Sequence, residues 1–280
     1  MLSVLRAAEG WLDQHKVEAP RRSAELLLGK VLGLDRLQIY LQHDRPLSDD
    51  ERGAMRSLIA RRGKHEPVAH LLGEWSFRGH VLEVSSAVLV PRPETEEMVD
   101  LALARLPQGA RVLELGTGSG AIAIALALER KDLHIVATDV SKNALAVAER
   151  NINRHGMGER VTLRHGSWWD ACAGELPFDA LVSNPPYVDP ALPDLLADDV
   201  RTFEPPLALF SERGDPASCY RAIAVGIESH VREGGAVILE TGVGASDAAL
   251  AVLLDCAAVE HAELHPDLAG RPRFLLARRR

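Results

Sequence analysis

The chain has 280 residues, with 32 Lys and Arg against 40 Asp and Glu, a formal net charge of −8, and 46% hydrophobic and 26% charged residues. This balance excludes wholesale disorder and argues against a protein whose affinity comes mainly from neutralising phosphates, since such binders concentrate Lys and Arg on a basic face. Cys172, Cys219 and Cys256 form no C-x-x-C pair and no apolar run approaches the roughly 18 residues of a membrane span, so no disulfide framework, structural zinc or membrane association is expected and a reducing cytoplasm is the natural compartment. Acidic residues come too early in MLSVLRAAEGWLDQH for a signal peptide, and neither fixed-period repeats nor low-complexity segments are visible.

The first 75 residues read as a small all-helical unit. Leu5, Ala8 and Leu12 recur at helical spacing, and Ala24, Leu27, Leu28 and Val31 repeat the pattern after Pro20, which suits a first helical turn. Ser48 to Glu51 is an S-x-x-E capping box that opens a helix carrying Met55, Leu58 and Ile59 on one face. Over residues 76–93 the pattern changes to Val81, Leu82 and Val84, then Val88, Leu89 and Val90, which predicts a short β-hairpin linker turning at Ser85-Ser86.

From Ala110 onward strands alternate with helices. Strands are predicted at Arg111–Leu115, His134–Thr138, Val161–His165, Ala180–Ser183 and Ala236–Glu240, with helices over Ala121–Glu129 and Lys142–His155. Such alternation specifies an α/β, doubly wound, mostly parallel sheet that binds ligands at the carboxyl ends of its strands. No metal site is expected from the eleven histidines.

The first strand of this series runs into Gly116-Thr117-Gly118-Ser119-Gly120. Glycines let the backbone turn sharply and let a ligand approach the main chain, which points to an adenosine-bearing cofactor. Asp139 ends the next strand, where a carboxylate can accept from both ribose hydroxyls. The same loop also fits the G-x-G-x-x-A fingerprint of a dinucleotide site. A phosphate P-loop is disfavoured because no Lys-Ser/Thr follows the glycines.

A later strand delivers Asn184-Pro185-Pro186-Tyr187 to the same edge. Consecutive prolines fix φ and remove backbone donors, leaving a rigid, acceptor-rich corner. A planar NH₂ group could donate to the Asn184 side-chain oxygen and the Pro185 carbonyl while lying against the Tyr187 ring. The corner therefore suits an amide or an aromatic amine.

On Glu114 to Gly120, Asp139 and Asn184 to Tyr187, the sequence resembles the class I S-adenosylmethionine-dependent methyltransferases of the Asn-Pro-Pro-Tyr group. Residues 66–73 (EPVAHLLG), 90–96 (VPRPETE), 203–209 (FEPPLAL) and 267–273 (DLAGRPR) narrow the resemblance to the release factor glutamine methyltransferase family of the HemK/PrmC type, over nearly the whole chain. The resemblance implies a Rossmann-like, seven-stranded methyltransferase domain over 94–280 and a substrate-docking helical domain over 1–75. It implies N5-methylation of the glutamine in the Gly-Gly-Gln loop of peptide chain release factors, with S-adenosyl-L-homocysteine as the product, and no direct contact with nucleic acid.

It also implies residue roles. Gly116, Thr117, Gly118, Ser119 and Gly120 cradle the methionine end of S-adenosylmethionine, Asp139 holds its ribose, and Trp168 packs near the adenine, with Trp169 as the alternative. Asn184 borders the cofactor and, with Pro185, Pro186 and Tyr187, binds the glutamine amide; Asn184, Pro185 and Tyr187 are the catalytic set. Pro91 to Glu96 border the pocket. Residues 211–220 lack the Gly-Gly-x-Asp-Gly-Leu run of the family, and Glu240-Thr241-Gly242-Val243 is a loose version of its counterpart.

An amide nitrogen is a poor nucleophile because its lone pair is delocalised. Two acceptors on its hydrogens would favour a pyramidal nitrogen aimed at the methyl donor, so positioning and electrostatics are expected to dominate and no strong general base is required. The rival readings are a ribosomal-protein glutamine methyltransferase, an adenine-N6 methyltransferase acting on DNA or RNA, and a dinucleotide-dependent oxidoreductase. The charge of −8 weighs against the nucleic-acid substrate.

Overall fold

The computed structural model describes residues 1–192 and 196–280, which fall into two compact units. The first comprises Met1–Glu74 with Leu196–Phe203, the second Trp75–Leu195 with Glu204–Arg280.

The first unit is helical: α1 (Leu2–Gln14), α2 (Pro20–Leu32), α3 (Arg36–Leu41), α4 (Asp49–Arg62) and α5 (Val68–Leu72). Leu5, Ala8 and Leu12 of α1 meet Ala24, Leu27 and Leu28 of α2 in one core with Met55 and Ile59 of α4, as their spacing predicts. Pro20 sits in the first turn of α2. The Ser48–Glu51 box forms reciprocally, Glu51 N donating to Ser48 Oγ at 3.1 Å and Ser48 N to Glu51 Oε2 at 2.8 Å. A second box, Asp35 with Gln38, opens α3, a helix too short to leave a periodic signal.

A hairpin follows, β1 (Glu74–Phe77) and β2 (His80–Glu83), which belongs to the second unit from Trp75 onward. Its turn is Arg78-Gly79, with φ of 49° and 76°, and not Ser85-Ser86 as the sequence suggested. Two consecutive left-handed residues make the tight turn that matches strand twist, and an arginine in the first of them hides the usual Asn-Gly signal. Val84, Val88 and Val90 are buried, but in irregular chain, so burial and not strand pairing explains their apolar character.

Helix α6 (Pro93–Leu103) then leads into the sheet: β3 (Arg111–Leu115), α7 (Ala121–Glu129), β4 (His134–Asp139), α8 (Lys142–Arg154), β5 (Val161–His165), a 3-10 turn at Trp168–Cys172 and β6 (Phe178–Ser183). Helix α9 (Asp198–Phe203) lies in the helical unit, where Arg62 Nη1 is 3.8 Å from Asp199 Oδ2. The chain closes with α10 (Pro206–Leu209), α11 (Ser218–His230), β7 (Val231–Glu240), α12 (Ser246–Leu254), β8 (Val259–Pro266) and β9 (Pro272–Arg279).

The seven strands are ordered β5-β4-β3-β6-β7-β9-β8, parallel from β5 to β7, with β9 antiparallel to β7 and to β8. This is the expected mostly parallel, doubly wound sheet. Strand periodicity sorts its side chains into two cores. Val112, Ile135, Ala180, Val182 and Ile238 pack with α6 and α7 on one face; Leu113, Leu115, Leu181, Val237 and Leu239 pack with α11 and α12 on the other. The strand order reverses between β3 and its neighbours β4 and β6, which leaves a crevice beyond their carboxyl ends. Among the described residues, no helix is long and apolar enough to cross a membrane.

Candidate active site at the carboxyl ends of the strands

A cavity of about 310 Å³ occupies that crevice. On one side it is lined by Leu115, Gly116, Thr117, Gly118 and Ser119 after β3, by Asp139, Val140 and Ser141 after β4, and by Gly166, Ser167 and Trp168 after β5. Gly116 and Gly118 have φ of 73° and 56°, and nothing stands within 4 Å of where a Cβ would project from either. The loop thus presents bare main chain in the left-handed region that side-chain-bearing residues rarely adopt. Gly120, at φ 83°, faces Ile124 and Ala148 and does not line the cavity; it caps α7.

Side chains behind the loop hold its shape. Thr117 Oγ1 donates to Glu114 Oε2 at 2.8 Å, and Thr117 N donates to the Thr138 carbonyl at 2.8 Å, which ties the loop to β4. Glu114 is fully buried, and desolvation pushes its carboxyl up to about 8 against the hydrogen bond from Thr117. Asp139 accepts from Gly118 N through Oδ2 at 2.9 Å and from Ser141 N through Oδ1 at 2.8 Å. Burial raises this carboxyl from its ordinary value, opposed by those backbone donors.

Asn151 of α8 joins the loop to the hairpin. Its Nδ2 donates to the carbonyls of Ser119 and Glu83, both at 2.9 Å, and its Oδ1 accepts from Glu83 N at 2.6 Å.

The two tryptophans separate by environment. Trp168, at φ 45°, lines the cavity. Trp169 stacks on His230 at 4.7 Å between ring centroids, donates Nε1 to the Ala222 carbonyl at 2.8 Å, and occupies space that only a glycine at position 226 leaves free.

The opposite wall holds Asn184 and Pro186 after β6, Pro91 and Thr95 at the start of α6, and Pro205, Leu207, Ala208 and Phe210 around α10. Pro185 is buried, and the Tyr187 ring lies on Gly242, where a Cβ would come within 2.4 Å of it; neither lines the cavity. Burial, followed by the nearby Glu240 charge, pushes the Tyr187 hydroxyl up to about 12. Asn184 Nδ2 donates to Thr95 Oγ1 at 3.4 Å, and Thr95 Oγ1 donates to Glu240 Oε2 at 2.7 Å. Arg92 Nη2 donates to the buried Glu204 at 2.7 Å, which fixes the start of α6 against the segment carrying Pro205.

Sequence reasoning missed Ala87, Val88 and Leu89, the lining residues of α10, and Cys219. Apolar character does not distinguish a pocket wall from core, and for α10 the one further signal was the motif over residues 203–209. It also overlooked His261 and His265, a His-x-x-x-His spacing; on β8 these lie roughly 13 Å apart and not on one helical turn. Among the described residues no group of three or more His, Cys, Asp or Glu side chains is placed to hold a metal.

Residues 3–73 match the family described as PrmC N-terminal domain, and residues 94–196 match that described as Methyltransferase small domain. The chain is 42% identical over 252 residues to the release factor glutamine methyltransferase of Chlorobaculum tepidum, covering 86% of this chain and 84% of that one. It is 40% identical over 269 residues to the release factor glutamine methyltransferase of Neisseria gonorrhoeae, covering 96% of both. Among solved structures, a methyltransferase from Pyrococcus furiosus shares the fold, with a TM-score of 0.52 at 19% identity over 73% of this chain and 90% of that one.

Proposed function

Because this chain belongs to the release factor glutamine methyltransferase family, we propose that it methylates the side-chain amide nitrogen, N5, of the glutamine in the Gly-Gly-Gln loop of peptide chain release factors, with S-adenosylmethionine as donor. The observation that carries the reading is that the glycine loop after β3 and Asn184 after the adjacent strand β6 open onto one cavity. When bound, S-adenosylmethionine supplies an electrophilic methyl group on a sulfonium.

The residues present fit that group. Gly116 and Gly118 offer bare main chain, Asp139 keeps lone pairs on both oxygens beyond its backbone bonds, and Trp168 supplies an aromatic wall. Asn184 Oδ1, which faces the cavity, would accept a hydrogen of the glutamine amide and help to localise its lone pair. Leu89, Pro91, Leu207 and Phe210 exclude water, which strengthens those hydrogen bonds. The proton lost on methylation can leave after the transfer, so no strong base is needed at the nitrogen.

Substrate docking falls to the helical unit, where Leu37 and Leu41 of α3, one turn apart, are 67% and 71% exposed. Cys172, Cys219 and Cys256 are all free, in keeping with a cytoplasmic site of action. Incubating the protein with purified release factor and isotopically labelled S-adenosylmethionine tests the reading by peptide mass mapping. One labelled methyl on the Gly-Gly-Gln glutamine is expected. Label on DNA, or on a ribosomal protein but not on release factor, overturns it.

A further inference from the structure

We infer that Thr95 and Glu240 form a positioning relay that decides which end of the Asn184 amide meets the substrate. The inference rests on the glutamine-amide reading above, and neither residue touches the reacting atoms. A threonine hydroxyl has one hydrogen. In Thr95 that hydrogen goes to Glu240 Oε2 at 2.7 Å, so toward Asn184 the oxygen offers only lone pairs and receives a hydrogen from Nδ2 at 3.4 Å. The NH₂ arm of Asn184 is thereby turned to Thr95. Its Oδ1, the other arm of the same planar group, is left to the cavity that Asn184 lines.

That orientation is what a glutamine amide requires. Were the Asn184 amide reversed, its NH₂ would confront the substrate NH₂, two donors with no acceptor between them. A carboxylate that can only accept sets the direction of the chain. Glu240 is 1% exposed, at the carboxyl end of β7, and Thr95 is buried in the first turn of α6, so neither is held by solvent. The charged and titratable groups around Glu240 are Arg273 and Arg92, which favour its ionised form, and Glu94, Tyr187 and Tyr220, the last donating its hydroxyl to the Glu240 carbonyl at 2.9 Å.

Desolvation brings the Glu240 carboxyl up to about 7. Once protonated, it can donate to Thr95 Oγ1. The threonine hydrogen is then free to turn to Asn184, and the amide loses its fixed direction. The relay therefore works above that pH and weakens below it.

Thr95→Val removes the hydroxyl at nearly constant volume. With release factor as substrate it should lower kcat roughly tenfold while leaving the affinity for S-adenosylhomocysteine within about twofold, and Thr95→Ser should recover most of the loss. Glu240→Gln should flatten the fall of kcat on the acid side of pH 7. A second readout needs no substrate. The side-chain NH₂ signal of Asn184 in an amide NMR spectrum, identified by its loss in Asn184→Ala, should move in Thr95→Val and stay in place in Thr95→Ser. Wild-type kcat with an unmoved signal in Thr95→Val overturns the relay, as does equal damage by Val and Ser, which would mean packing alone. A wild-type protein that leaves release factor unmethylated overturns the functional reading instead, and the NH₂ signal still decides the relay.

Discussion

The two walls of the cavity are built from different materials. The glycine wall is built around the bare main chain of Gly116 and Gly118, with residues from the loops after β3, β4 and β5. The Asn184 wall is side chain, assembled from partners 89 residues apart for Asn184 and Thr95 and 145 apart for Thr95 and Glu240. Backbone donors survive most substitutions because every residue carries them; a side-chain wall depends on single residues whose hydrogen bonds run in one direction. The glycine wall should therefore govern affinity for the donor and degrade gradually, while the Asn184 wall should govern turnover and fail at single positions.

The largest effect expected is at Asn184. Asn184→Ala should cut turnover on release factor by on the order of 10² or more, as for loss of one preorganised polar group, while calorimetric binding of S-adenosylhomocysteine stays nearly intact. A loss of cofactor binding of the same size would erase the contrast between the walls.

Asp139→Ala attacks the other wall. Loss of a charged acceptor, with Gly118 N and Ser141 N released, should weaken S-adenosylhomocysteine binding by roughly 10- to 100-fold, and turnover at saturating donor should fall only a few-fold. A drop in saturated turnover as large as that of Asn184→Ala would show that the glycine wall also aligns the reaction.

The paired tryptophans sharpen the boundary of the glycine wall. Trp168→Ala should weaken cofactor binding several-fold with little change in urea unfolding. Trp169→Ala, which removes a ring packed on His230 and Gly226, should cost about 3 kcal/mol of stability and leave cofactor affinity nearly unchanged. The reverse pattern would move the wall by one residue.

The smallest expected effect concerns Glu114, which sits under the glycine loop. Its carboxyl rises from 4.5 to about 8 on folding, so between these values the folded state binds the extra proton and stability declines as pH rises. Glu114→Gln has no such proton to lose. The melting temperature of the variant relative to the parent should therefore climb from pH 6 to pH 9, and a constant difference across that range would mean that Glu114 is not desolvated as the fold implies.

The same contrast explains what could be read in advance. Gly116 to Gly120 and Asp139 were legible because a strand, a sharp turn and a helix leave a contiguous mark, and the core followed from alternation within β3, β4 and β6. Local residue preference points to a hairpin turn at Ser85-Ser86, whereas the chain turns at Arg78-Gly79, where a left-handed arginine carries no warning. The choice between Trp168 and Trp169 stayed open in the sequence because adjacent residues share every local property; only the glycine at 226 and the ring at 230 set them apart.

The sequence by itself determined the fold class, the loop chemistry and the family resemblance, because each rests on near neighbours and on periodicity. Tertiary structure alone decided that Leu196–Phe203 joins the helical unit, that Pro185 and Tyr187 stand back from the cavity, and that Thr95 and Glu240 stand behind Asn184. Those facts depend on which distant segments the sheet brings together, and the hydrogen-bond direction that aims an amide exists only once they meet.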